Sequence, residues 1–94
     1  MFDITLGEND KVILSGRFDA SQVERAESFF SNVEQSVIID FKKLEYISSA
    51  GLGVLLAVNK KLSDLGNNIK LINLNEHIRD IFRYAGFDKI FEIE

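Results

Sequence analysis

Two adjacent hydroxyls, Ser48 and Ser49, stand immediately before a run of small and apolar residues, Ala50-Gly51-Leu52-Gly53-Val54-Leu55-Leu56-Ala57-Val58. Such a run predicts a helix, and a serine in front of it suits the N-cap position. There its side-chain oxygen accepts a backbone N–H that the first helical turn leaves unpaired. The same geometry suits a second chemistry. A phosphate on a hydroxyl at a helix start sets a charge of about −1.5 to −2 against free N–H groups and the positive end of the helix dipole. That group costs the fold little, yet it repels or obstructs a protein docked on the adjoining surface. On the residues alone, either serine fits either role.

Other chemistries find little material. His77 is the only histidine, and nothing places it beside Ser48, Ser49 or an aspartate to build a nucleophilic triad. One histidine and scattered carboxylates lack the cluster and spacing of a metal site. The chain has no cysteine, which excludes disulfides and thiol chemistry. Gly51-Leu52-Gly53 hints at a phosphate-cradling loop, but Val54-Leu55-Leu56 follow, so neither the dinucleotide fingerprint nor the P-loop lysine is present. Glycine here is expected to let the helix start pack closely on a strand. No enzyme activity, metal or cofactor is expected.

The elements that must position these serines are legible in part. Phe2, Ile4 and Leu6 alternate with polar residues as a half-wet strand does, and Gly7 to Asp10 form a turn before a second strand, Lys11 to Gly16. Ser21 and Glu24 have the spacing of a capping box for a first helix through Val23, Ala26, Phe30 and Val33. Val37-Ile38-Ile39 reads as a strand apolar on both faces, expected at the centre of a covered sheet. Polar Lys42-Lys43 and a short Leu44 to Ile47 segment lead to Ser48. The second helix is expected over Ala50 to Leu65, with Gly66 at its C-cap. Ile69 to Leu74 is the next strand, Asn75 the cap of a third helix ending at Gly86, and Phe87 to Ile93 a closing strand. The order is β-β-α-β-α-β-α-β. It implies an α/β fold, a mixed sheet of one starting hairpin plus parallel βαβ units packed with three main helices.

Composition bounds the setting. Ninety-four residues make one domain, expected to span 1–94, and 46% hydrophobic with 28% charged residues is globular rather than disordered. A net charge of −4 argues against direct nucleic-acid binding, which needs a basic face. No apolar run reaches the ~20 residues of a membrane span, so no membrane insertion is expected. The opening MFDITLGEND lacks the basic start of a secretion signal, and a cytoplasmic location is expected. In the second helix, Leu52, Leu55, Leu56, Leu62 and Leu65 suit the core, while Ala50, Val54, Ala57 and Val58 spread around the cylinder. A helix apolar on most sides is either enclosed or presents part of itself to another protein.

Tyr46-Ile47-Ser48-Ser49-Ala50-Gly51-Leu52-Gly53-Val54-Leu55 resembles the signature of STAS domains, specifically the small anti-sigma factor antagonists. Three further stretches are similar to that family. They are Leu14 to Asp19, with its Gly-x-apolar-Asp corner, Val37 to Phe41 followed by Leu44, and Ile81 to Gly86 with Lys89-Ile90-Phe91. The resemblance implies a partner switch. The unphosphorylated antagonist binds an anti-sigma factor that is also a serine kinase, and a sigma factor is freed. Phosphorylation of the serine at the helix start reverses this, and a PP2C-type phosphatase restores the antagonist.

By position the resemblance implies Ser49 as the acceptor, with Ser48 as the alternative. It implies partner contacts at Asp19, Ser48, Ala50, Gly51, Leu52, Gly53 and Val54. ATP and magnesium would belong to the kinase. One departure stands out: the family has Asp immediately before the acceptor, and this chain has Ser48. That substitution removes a carboxylate and adds a second hydroxyl. It also motivates an alternative, a STAS subunit of a larger assembly (a stress-signalling scaffold or a lipid-transport complex) that is never phosphorylated. Exposed apolar surface is expected to be kept for the partner, so the chain alone is expected to be a monomer.

Overall fold

β1 (Asp3–Leu6) and β2 (Lys11–Phe18) form an antiparallel hairpin in the computed structural model, which describes residues 1–94. The turn passes through Asn9 and Asp10 at φ of 59° and 60°, a left-handed backbone that short polar side chains tolerate. The remaining elements alternate as α1 (Val23–Phe30), β3 (Val37–Ile47), α2 (Ser49–Asp64), β4 (Ile69–Ile72), α3 (Glu76–Tyr84) and β5 (Glu92–Ile93). The strands lie in the order β1-β2-β3-β4-β5, and every pair after the hairpin is parallel. This is the mixed α/β architecture read from the sequence.

Strand order sets where the helices go. When spatial order follows chain order, each right-handed crossover steps the same way and lays its helix on the same face. Burial follows suit. Val12, Leu14 and Phe18 of β2, Val37, Ile39 and Phe41 of β3, and Ile69 and Leu71 of β4 are buried, while Ile13, Ile38 and Ile72 at alternate positions are only half-buried. β3 is central, as expected, but its second face is not covered by helices. Ile38 lies there in one row with Lys11, Lys70 and Glu92, and long lysine stems beside it shelter an apolar side chain while keeping their charges wet.

Two departures in β3 matter for the site. The strand runs eleven residues, straight through Lys42-Lys43, where the sequence suggested a break. Its register against β2 shifts twice, between Ile13 and Ser15 and again between Gly16 and Arg17, so that β3 holds an extra residue at each point. Buried positions therefore step by three, Phe41, Leu44 and Ile47, instead of by two. Such bulges hide a strand from a period-2 reading. The chain's end also differs: a 3₁₀ turn at Phe87–Lys89 precedes a β5 of two residues, in place of one closing strand.

Helix ends are well defined. Gly66, at φ 79°, follows α2, and the amides of Gly66 and Asn67 bond the Ser63 and Leu62 carbonyls at 3.0 and 2.7 Å. That is a Schellman closure. Asn75 caps α3 by accepting the Ile78 N–H at 2.8 Å. The last carbonyls of α1 are met from α2, where Lys61 Nζ donates to Phe30 O at 3.0 Å and Ser31 O at 3.2 Å. Replacing Lys61 by methionine keeps the stem and removes these bonds. A loss of about 1–2 kcal/mol is expected, read as a lower urea midpoint with unchanged slope.

Candidate functional site

β2 and β3 end side by side, with Arg17 paired to Tyr46 and Phe18 to Ile47, and the two chains then diverge. One enters a 3₁₀ turn at Ala20–Gln22, the other enters α2 through Ser48. A backbone bond ties the exits together, the Ser48 N–H donating to Phe18 O at 2.9 Å. Ser48 itself is extended, at φ −86° and ψ 169°, and its Oγ accepts the Gly51 N–H at 3.1 Å. Its carbonyl takes the Leu52 N–H at 2.9 Å. Ser48 is thus the N-cap, and half-buried. Ser49 is the first residue of the helix, and exposed.

This separates two roles the sequence left open. The capping oxygen belongs to Ser48, which fills with a hydroxyl the place where a carboxylate would cap equally well. Ser49 stands free on the surface beside the first-turn N–H groups that a helix start leaves unpaired.

Gly51 is where the helix meets the strands. A Cβ there would lie 3.0 Å from Ile47 Cγ1 and 3.1 Å from both the ring and the carbonyl oxygen of Phe18, so the helix seats this closely only because the residue is glycine. Gly53 has nothing within 4 Å of the same position and faces solvent. Leu52 and Val54 are buried, as are Leu55, Val58 and Leu62. Gly51, Leu52 and Val54 therefore seat α2 on the fold and leave little side-chain surface at this end. The surface left at this end consists of Ser49 and Gly53, with half-buried Ser48, Ala50 and Asp19.

α2 is mostly enclosed, because α1 packs across it. A shallow groove of about 140 Å³ between Phe30, Val54, Ala57 and Val58 is all that remains open there. Leu65, assigned to the core from its spacing, is 52% exposed where the helix ends. The exposed line along α2 reads Ser49, Gly53, Ala57, Lys60, small residues first and charge later.

Asp19 borders the site from the other exit. Its carboxylate accepts the Ser21 N–H at 3.0 Å and also the Ser21 hydroxyl, capping the 3₁₀ turn. The Ser21 hydroxyl bond, helped by the Ser21 amide and the Arg17 guanidinium and opposed by partial desolvation, holds its pKa below the usual carboxylate value. Arg17 lies over the Tyr46 ring, 4.4 Å from its centroid. The capping box expected from Ser21 to Glu24 does not form. α1 begins at Val23 behind Gln22, which makes no side-chain cap bond, and Ser21 serves Asp19 instead. The competing signal was Asp19-Ala20-Ser21, an aspartate two residues before an available amide.

His77 is exposed on α3, and no group of three or more His, Asp or Glu side chains is arranged to hold a metal ion. No helix is long and apolar enough to cross a membrane.

A one-faced mixed sheet with a serine-tipped second helix defines a class. The family model described as "Mlab, STAS domain" matches residues 4–92, and the chain belongs to the STAS domain family. Its relatives include anti-sigma factor antagonists. It is 32% identical over 95 residues to the anti-sigma-B factor antagonist of Bacillus subtilis, covering 97% of this chain and 87% of that one. It is 42% identical over 60 residues to BtrV of Bordetella bronchiseptica, named as an anti-sigma factor antagonist. That match spans 64% of this chain and about half (52%) of BtrV. The fold matches the anti-sigma factor antagonist SpoIIAA in its unphosphorylated and phosphorylated forms, with TM-scores of 0.74 and 0.73 at 19% and 20% identity. All of this chain is covered, and 87% and 91% of the two SpoIIAA chains.

Proposed function

We propose that this protein is an anti-sigma factor antagonist whose partner switch is Ser49. Unphosphorylated, it binds an anti-sigma factor that is also a serine kinase, and a sigma factor is released. Phosphorylation of Ser49 ends that binding, and a PP2C-type phosphatase restores it. The observation that carries this reading is the division of labour at the helix start. Ser48 is committed to the cap, and Ser49, one residue on, is exposed at the first position of α2. The Bacillus relative, similar over nearly the whole chain, supports the same reading. The phosphoryl donor is ATP held by the kinase, and this chain supplies the accepting hydroxyl and the docking surface. The protein acts in the cytoplasm, as a monomer until it meets its partner.

The test is incubation with ATP and an anti-sigma factor kinase of the cognate class, followed by intact-mass and fragment spectra. One phosphate on Ser49, none in Ser49→Ala, and a complex present only before phosphorylation are expected. An unchanged mass together with no complex in either state would remove the proposal. Ser48 in place of the family aspartate favours a second reading, a phosphate-free subunit of a larger assembly. Capture from native cells separates the two, since that reading expects stable co-purifying subunits and an unmodified Ser49.

A further inference from the structure

We infer that Ser21 is a positioning residue of the Ser49 site, closing the Ala20–Gln22 turn onto Asp19 and so fixing the second wall of the docking surface. The inference rests on the reading that a partner docks at the start of α2. Placement comes first. The Phe18 carbonyl binds the Ser48 amide, and the Phe18 ring and carbonyl lie against Gly51, so the residues that follow Phe18 run directly beside the first turn of α2. Anything that docks over Ser49 meets this turn as well.

The turn packs beside α2, but the hydrogen bonds that hold it are local. None of its three residues is buried, so the core does not anchor it. The helix behind it has no side-chain cap of its own. Its closure consists of the Gln22 N–H on Asp19 O at 3.0 Å, the Val23 N–H on Ala20 O, and two Ser21 donors converging on one oxygen of the Asp19 side chain. The Ser21 hydroxyl in turn accepts from Gln22 Nε2 at 3.4 Å. Ser21 therefore links the aspartate to the rest of the turn. A loop held in one conformation before binding loses less entropy when a partner arrives. Without the hydroxyl, Asp19 keeps only the amide bond, and the turn samples more states.

The charges acting on Asp19 are few. Arg17 from β2 and the Met1 amino group are the cations near it. β3 brings Tyr46, already under Arg17. α1 opens with Glu24 and Arg25, the latter paired to Asp3, and α2 brings no charged side chain before Lys60. The hydroxyl bond is the largest influence on the carboxyl, which titrates below its ordinary value. The closure is thus intact at neutral pH and opens only as pH falls through that lowered value.

Ser21→Ala removes the hydroxyl and leaves the amide, and Ser21→Thr returns a hydroxyl. In Ser21→Ala the Asp19 carboxyl, followed by NMR, is expected to titrate nearer its ordinary value. Amide exchange over residues 20–23 should quicken severalfold while α3 is unchanged. Affinity for the anti-sigma factor kinase should fall about tenfold, and Ser21→Thr should recover most of it. An Asp19 titration that does not move, or one that moves with affinity unchanged, overturns the proposal. If the wild-type chain binds no anti-sigma factor, the proposed function fails instead. Titration and exchange then decide whether Ser21 holds the turn.

Discussion

Phosphate on Ser49 is expected to weaken binding of the anti-sigma factor by roughly a thousandfold, with the chain's melting temperature unchanged or slightly raised. The two halves of that expectation have separate physical origins. On the docking side, the exposed line of α2 begins with Ser49, Gly53 and Ala57, and its first charge is Lys60, eleven residues on. At 1.5 Å per residue that is about 16 Å, roughly two Debye lengths at physiological salt. No cation of the helix is close enough to neutralise a dianion at its start. A partner covering this surface would have to desolvate the phosphate or leave it unpaired, a cost of several kcal/mol, and about 4 kcal/mol corresponds to a thousandfold.

On the folding side, the same charge sits at the positive end of the helix, where it stabilises by about 0.3–1 kcal/mol. The cap is untouched, because the Gly51 N–H is bonded to Ser48 and not to Ser49. Titration calorimetry of the phosphorylated and unphosphorylated chain measures the first effect, and scanning calorimetry the second. Ser49→Asp carries one charge instead of nearly two, and a smaller loss of about ten- to a hundredfold is expected. Ser49→Ala should bind like the unphosphorylated chain and ignore added ATP. Equal affinity of the phosphorylated and unmodified forms would show that Ser49 is not the switch.

Much of this site was readable in the sequence because it is built from local rules. Gly66 and Asn75 mark helix ends through backbone chemistry that does not depend on distant residues, and both act as expected. The parallel order after one hairpin follows from alternating strand and helix patterns. What escaped depends on contacts between elements. The bulges of β3 exist only relative to β2, so Lys42-Lys43 looked like an interruption. Which face of α2 stays free is decided by where α1 packs, and the helix's own apolar pattern runs nearly all round. At Ser21 two local motifs compete, a capping box with Glu24 and a turn closed on Asp19. The nearer aspartate won, taking both the amide and the hydroxyl.

Gly51 and Gly53, two residues apart in one helix, are expected to respond to alanine with opposite signs. Helix propensity alone would favour both substitutions by about 1 kcal/mol. At Gly51 the new methyl group would meet Ile47 Cγ1 at 3.0 Å and the Phe18 ring at 3.1 Å, and both side chains are buried with little room to move. It would also meet the Phe18 carbonyl oxygen at 3.1 Å, an atom already held by the Ser48 amide at 2.9 Å. Relieving the clash means lifting the helix start off the strands and stretching that bond. Overpacking of this kind costs about 1–3 kcal/mol, enough to outweigh the propensity gain. Gly51→Ala should therefore lower the urea midpoint, and partner affinity should fall because Ser48 and Ser49 are displaced together. At Gly53 the methyl group enters open space, so Gly53→Ala should raise stability by about 1 kcal/mol. The fold thus gains nothing internal from glycine at this position. What glycine does provide is a low surface one turn beyond Ser49, where another backbone can approach closely. Gly53→Ala should accordingly bind the anti-sigma factor about tenfold more weakly while folding more stably, a combination that a purely structural role cannot produce. If the stabilised variant binds as tightly as the wild type, the partner does not cover this turn of α2 and its contacts lie with Ser49, Ala50 and the Asp19 turn.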